Sequence, residues 1–248
     1  MIEGFEILAN QSSGVVSSLQ NIPGLYWIII GGSMLASWLT GMMLKRRFSE
    51  YSQIPVQVTG REVAERMLRD NGITDVKVLH TPGQLTDHYD PRNKTVNLSE
   101  PVYQMNSVAA AAVAAHECGH AVQHAKSYAW LTMRSKLVPV VGLSSKLMPW
   151  LLIGGIAFMS FSGNPMVLWV AVIAFAMTTL FAFITLPVEF DASKRAMAWM
   201  EGAGLASSMH QDRAKNALFW AAMTYVVAAL ASLAQLAYYL MILLGRRN

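Results

Sequence analysis

The sequence predicts a mainly α membrane protein, with about four transmembrane helices and a small α+β domain on the cytoplasmic face. Three observations predict it. Of the 248 residues 54% are hydrophobic and only 14% charged, far from the balance of a soluble domain. The apolar residues gather in runs long enough to cross a bilayer. One interval, 45–136, breaks that pattern with charges, turn residues and short elements. The net charge of +4 does not indicate a nucleic-acid partner, because many of the basic residues flank apolar runs, where anionic headgroups would meet them. The lone cysteine, Cys118, excludes an intrachain disulfide, so a cytosolic setting is permitted.

Residues 1–23 precede the first run and are expected outside the cytoplasm. The run itself, 24–44 (Gly24 to Leu44), carries no charge and ends at Lys45, Arg46 and Arg47; at about 1.5 Å per residue it spans roughly 30 Å. Glu3 and Glu6 are the only charges before it, so it lacks the basic start of a signal peptide and is expected to be an uncleaved anchor. The positive-inside rule then places Lys45 in the cytoplasm.

Within 45–136 the expected order is helix, hairpin, helix. Thr59 followed by Glu62 is a capping box, and Val63, Met67 and Leu68 form an apolar stripe before Asp70, Asn71 and Gly72 stop the helix. A strand is expected over Val76 to Leu79. The β-prone runs Leu85 to Tyr89 and Thr95 to Leu98 flank Asp90, Pro91, Arg92, Asn93 and Lys94, which is turn chemistry and predicts a β-hairpin. An alanine-rich helix is expected over about Ser107 to Ala125.

Apolar runs return in 137–188: Leu137 to Phe161 and Met166 to Val188, broken by Ser162, Gly163, Asn164 and Pro165, a membrane hairpin. A polar helical stretch then occupies 189–215, with a break at Gly202 and Gly204, and the last run, within 216–248, is long enough to span with tilt. Alternating the four spans leaves 17 of the 19 Lys and Arg residues on the cytoplasmic side, with Lys146 inside the second span an awkward member and Arg246 and Arg247 outside.

The chemistry is concentrated in His116, Glu117, Cys118, Gly119 and His120, an H-E-x-x-H pattern. A helix sets the two imidazoles one turn apart on one face, where both can reach one tetrahedral ion, and Glu117 then lies beside the metal's water as general base. An ordinary polar helix face is the bland alternative, but two histidines flanking a carboxylate in an alanine run serve no packing purpose. Cys118, between them, is expected to pack behind the helix as a small buried thiol.

A catalytic zinc takes three protein ligands and leaves the fourth position to water, so one more donor is required. His124 lies about 6 Å further along the same straight helix than His120 and cannot share the ion. The metzincin pattern fails, since it would need its third histidine at Lys126 and its glycine at Gln123. Glu189 fits a ligand's position where the third apolar run ends; a carboxylate placed for the helix dipole after Pro187 is the competing explanation. Asp191, Asp212 and His210 are weaker alternatives.

Several blocks resemble one family. Leu186 through Ala196, with Glu189, Phe190, Asp191, Ala192 and Arg195, is similar to the YugP-like membrane neutral zinc metallopeptidases of bacteria. So are Thr86 to Pro91, Leu98 to Tyr103 and His116 to Ala125, in the same order. The resemblance covers the chain from about Tyr51 to the last span. It implies a minigluzincin-like zinc site in which a distant glutamate, Glu189, completes the ligand set of His116 and His120. The expected setting is the inner (plasma) membrane, with several spans and, from the distribution of Lys and Arg, the active site facing the cytoplasm. The HtpX-like membrane proteases are more distantly similar; they usually carry an aspartate four residues after the ligand glutamate, where this chain has Ser193, its acid being Asp191. Helix geometry turns Asp191 away from Glu189, so support from it to His116 or His120 requires an irregular helix start or a different partner.

The expected activity is zinc-dependent endopeptidase cleavage of protein or peptide substrates, membrane proteins among them, near the cytoplasmic surface of the lipid bilayer. Zn2+ is the expected cofactor. Glu117 is the expected base, and the candidate donors to the oxyanion are His88, Tyr89, Arg195 and His210, with His88 or Tyr89 favoured because their hairpin directly precedes the motif helix and can offer an edge strand to an extended peptide. A homo-oligomer or a membrane protein partner is compatible with the chain. The non-enzyme alternative is a membrane scaffold whose zinc only stabilises the domain, which requires a closed fourth ligand. Di-iron oxidation is disfavoured, because it needs two E-x-x-H motifs and the chain has one.

Overall fold

A computed structural model describes residues 24–205 and 208–244. The segment 1–23 and the arginines Arg246 and Arg247, on which the expectations for the two chain ends rest, lie outside the described residues. In order, the elements are α1 (Leu25–Ser52), α2 (Gly60–Asp70), β1 (Lys77–Thr81), β2 (His88–Asp90), β3 (Thr95–Ser99), α3 (Glu100–Gln104), α4 (Val108–Ala125), α5 (Ala129–Ser162), α6 (Met166–Gly202) and α7 (Ser208–Leu244). Four helices among the described residues, α1, α5, α6 and α7 from His210, are long and apolar enough to cross a membrane. Contacts divide the chain into two units, one of Met1–Ser37, Lys136–Phe183 and Val227–Asn248, the other of Trp38–Ser135 and Ile184–Val226.

The second unit holds the polar elements. The Thr59 side chain accepts a hydrogen bond from the Glu62 N–H (3.2 Å) and the Glu62 carboxylate accepts one from the Thr59 N–H (2.7 Å), so the capping box closes as the sequence predicts. The stripe of α2, Val63, Ala64, Met67 and Leu68, is buried and packs in one core with Val96 and Leu98 of β3, the alanines of α4, and Ala196, Met200 and Ala214 of α6 and α7. Fully buried side chains of Met or Leu size each contribute roughly 1.5–3 kcal/mol, and their loss would release α4 from its bed.

The strand region differs from the sequence expectation in one respect. The hairpin is present, β2 pairing antiparallel with β3 in the register His88 with Asn97 and Asp90 with Thr95. The first strand, however, joins it: β1 pairs parallel with β3, giving a three-stranded sheet in the order β1-β3-β2. Strand propensity marks a strand but not its partner, and the buried centre here is β3, whose Val96 and Leu98 are fully covered. A short helix, α3, also follows β3 directly, with Pro101 in its first turn.

The helices outrun the apolar runs that announced them. α1 continues past Lys45 to Ser52, α5 begins at Ala129, and α6 passes through Pro187 without interruption to Gly202. Glu189 therefore does not start a helix, and the helix-dipole explanation for it falls away. Hydropathy sees only the lipid-compatible part of a helix, whereas hydrogen bonding continues until a breaker such as Gly163 (φ +69°) or Gly204 (φ +66°) is met.

In the first unit, Leu168, Ala171, Val172, Met159 and Leu243 form a small apolar cluster. Trp27, Trp150, Ile153 and Phe161 face outward, an arrangement suited to lipid rather than water.

Candidate metal centre

Ser107 caps α4, its hydroxyl accepting from the Ala110 N–H at 3.2 Å, and the helix then carries His116 and His120 on one face with ring centroids 4.8 Å apart. Glu189 approaches from α6, only 2% exposed. Its Oε2 lies 3.2 Å from His116 Nε2 and 3.6 Å from His120 Nε2, and the three donors fall within 4.8 Å of one another. Ligands at tetrahedral corners about 2.0–2.1 Å from a zinc are separated by about 3.3–3.4 Å, so the donor set fits that ion in type, and the two Glu189 separations lie close to that spacing. A buried carboxylate wedged between two imidazoles otherwise has no packing rationale.

Close approach of the two helices makes the cluster possible. Gly119 lies against the α6 backbone: a Cβ there would fall 2.6 Å from the Ala192 carbonyl oxygen. Only glycine allows α4 to come this near. The other carboxylate oxygen of Glu189, Oε1, pairs with Arg134 Nη1 at 3.3 Å, so the two oxygens have separate tasks. Glu117 is mostly buried, and its Oε2 accepts a hydrogen bond from the Tyr89 main-chain N–H at 3.1 Å. A cavity of about 140 Å³ is lined by His116, Glu117, Glu189, Ser193, Asp87 and Tyr225.

Residues 26–244 match the family described as "Putative neutral zinc metallopeptidase". The chain belongs to this family. It is also 42% identical over 207 residues to "Putative membrane protease YugP" of Bacillus subtilis (strain 168), an alignment covering 83% of this chain and 90% of that protein. No solved structure matches the chain. Membership makes zinc the metal for which the His116, His120 and Glu189 cluster is suited.

Both histidines of the cluster are held from behind. His116 Nδ1 lies 3.1 Å from the Ser193 hydroxyl, so the serine that replaces the aspartate of the more distant proteases contacts the ring itself. His120 Nδ1 lies 3.0 Å from Gln123 Oε1, and Gln123 Nε2 donates to Asp191. Asp191 thus points away from Glu189, as helix geometry requires, and reaches a histidine through a different partner. Burial works to lower the pKa of His120, but the hydrogen bond and charge of Glu189 outweigh it and raise the pKa above its ordinary value.

The other residues singled out by sequence have these positions. The His88 ring bonds through Nδ1 to the Thr86 carbonyl (2.7 Å) and through Nε2 to Asn97 (3.3 Å). The Tyr89 hydroxyl lies 2.7 Å from His124 Nδ1, and its pKa is pushed up to about 12 by burial, aided by Asp75 and Asp90. What β2 brings to Glu117 is therefore a main-chain N–H. His124, His210 and Asp212 are not in the three-donor cluster. Cys118 is fully buried with its thiol towards the Ala64 carbonyl, and burial pushes its pKa up, leaving it inert.

Sequence reasoning missed Gln123, Arg134 and Tyr225. Gln123 had a signal, since it follows His120 by three residues and so shares its helix face. Arg134 and Tyr225 had none, because their neighbours come from distant segments.

Proposed function

We propose that this chain is a zinc-dependent endopeptidase that cleaves protein substrates at the cytoplasmic surface of the inner membrane. The observation that carries the reading is the position of Glu117, a carboxylate on the motif helix that lines one cavity with His116 and Glu189. His116, His120 and Glu189 hold the metal. Zinc in this site supplies Lewis acidity towards the scissile carbonyl and draws the pKa of a water towards neutrality. Glu117 takes the proton of the attacking water and delivers it to the leaving amine. The Tyr89 N–H fixes the Glu117 carboxylate for both transfers.

The oxyanion receives a hydrogen bond from a side chain at the cavity wall. Tyr225 is the first candidate, since it lines the cavity directly. His88 and Tyr89 are the candidates from β2, and either must first release its present partner, Asn97 or His124. The cytoplasmic orientation is supported by the distribution of Lys and Arg around the spans. A purely structural zinc would take a fourth protein donor; among the described residues the cluster supplies three, which favours an open position.

The test is Glu117→Gln in the full chain. It should keep one zinc per chain and the wild-type fold while losing about 10²–10⁴-fold in peptide-bond cleavage. Unchanged cleavage of a membrane-protein substrate by this variant would refute the role of Glu117.

A further inference from the structure

Gln123 is a fully buried polar side chain, 0% exposed, and a buried amide must satisfy both of its ends. Its Nε2 lies 2.8 Å from the Val188 carbonyl oxygen and 2.8 Å from Asp191 Oδ2. The first is an acceptor only. The second belongs to a carboxylate that also accepts from Arg195, so it serves as an acceptor here too. The amide orientation is therefore unambiguous: nitrogen faces α6, and Oε1 faces His120 Nδ1 at 3.0 Å. An oxygen there can only accept, so it takes the hydrogen bond of His120 Nδ1–H, while Nε2 is the nitrogen that faces Glu189 Oε2, at 3.6 Å.

We infer that Gln123 is the positioning residue of the metal centre: it sets the tautomer and ring orientation of His120 and ties that ring to the α6 backbone one residue before Glu189. This rests on the ligand set proposed above. The same side chain registers both halves of the ligand set, because Val188 directly precedes Glu189 while His120 lies one helical turn before Gln123 on α4. Asp191 acts through it, orienting the amide from the far side with Arg195 behind. A ligand histidine usually has its second nitrogen held by a carboxylate or a main-chain carbonyl; here a neutral amide occupies that place and passes the link on to a carboxylate.

The experiment measures zinc affinity of the full chain in detergent, by competition with a chromogenic chelator. Gln123→Met keeps an unbranched side chain of similar volume and removes only the hydrogen bonds, so a residue that merely fills space would tolerate it. We expect zinc to bind about 10–100-fold more weakly with the helical circular dichroism retained. A second pair keeps the inference testable if that variant fails to fold. Gln123→Glu sets two carboxylates against each other and should weaken zinc by about tenfold or more, whereas adding Asp191→Asn supplies a donor to the new carboxylate and should recover affinity to within about threefold of wild type. The inference is overturned if Gln123→Met binds zinc within about threefold of wild type, or if the double variant binds no better than Gln123→Glu. A wild-type chain that binds no zinc refutes the ligand set and this inference together; wild-type binding with indifferent variants refutes the inference alone.

Discussion

Gly119→Ala separates the cost of crowding two helices from the stability of either. The new Cβ would lie 2.6 Å from the Ala192 carbonyl oxygen and 3.1 Å from that residue's Cα and carbonyl carbon. These are backbone atoms of α6, so no rotamer relieves the contact. Restoring an ordinary separation of about 3.3 Å parts α4 and α6 by about 0.7 Å. His116 and His120 move with α4 and Glu189 stays with α6, so separations now at 3.2 and 3.6 Å widen, whereas metal–ligand distances tolerate only about 0.2 Å. Overpacking costs roughly 1–3 kcal/mol, against about 1 kcal/mol gained from replacing a helical glycine. Net stability of the metal-free protein should therefore change by less than about 2 kcal/mol, while zinc affinity falls at least about tenfold, or 1.4 kcal/mol. Thermal unfolding of the metal-free protein and chelator competition measure the two separately. Gly202→Ala, where an added Cβ meets nothing within 4 Å, is the control and should bind zinc normally. Wild-type zinc affinity in Gly119→Ala would refute the claim that this contact sets the ligand spacing.

Three further outcomes are expected. Glu189→Ala should leave purified protein with well under one zinc per chain by elemental analysis, and undiminished zinc would exclude Glu189 as a ligand. Arg134→Met frees the Glu189 oxygen that Arg134 now holds at 3.3 Å and should weaken zinc by about tenfold in the same chelator assay, the lower end of what an outer contact contributes. The Asp87 carboxyl has its pKa raised by burial, against the opposing hydrogen bonds from Ser99. A folded pKa above the unfolded one, about 4 for aspartate, means that its contribution to stability is complete below the unfolded value and is lost as pH rises through the folded value. Wild type should accordingly lose stability relative to Asp87→Asn as pH rises above the unfolded value of about 4; an unfolding-temperature difference that does not change with pH would contradict this.

Periodicity and capping made the local elements legible. The Thr59 and Glu62 box, the stripe of α2 and the i, i+4 histidines of α4 are all interactions between residues a few positions apart, so the sequence carries them in full. The four long apolar helices were readable for a similar reason, since the length and composition of one segment suffice. The helix ends were not, because hydropathy stops at the polar residues while α6 continues through Pro187 to Gly202. The parallel pairing of β1 with β3 was equally hidden, as strand propensity names no partner.

By itself, then, the sequence determined the two imidazoles and the carboxylate between them, because one helical turn fixes their mutual geometry. It determined Glu189 only through a family resemblance, with Asp191, Asp212 and His210 still open on the residues alone. The tertiary structure decided the rest: that Gly119 lets α6 approach, that Glu189 enters between the imidazoles, and that Gln123, Arg134 and Ser193 hold the donors in place. Apart from the Gln123–His120 contact, which lies within one helix, these contacts join residues 65 to 77 positions apart or, for Arg134 and Glu189, helices on either side of a hairpin. No local propensity specifies such pairs, since their energy exists only once the core has packed α4 against α6.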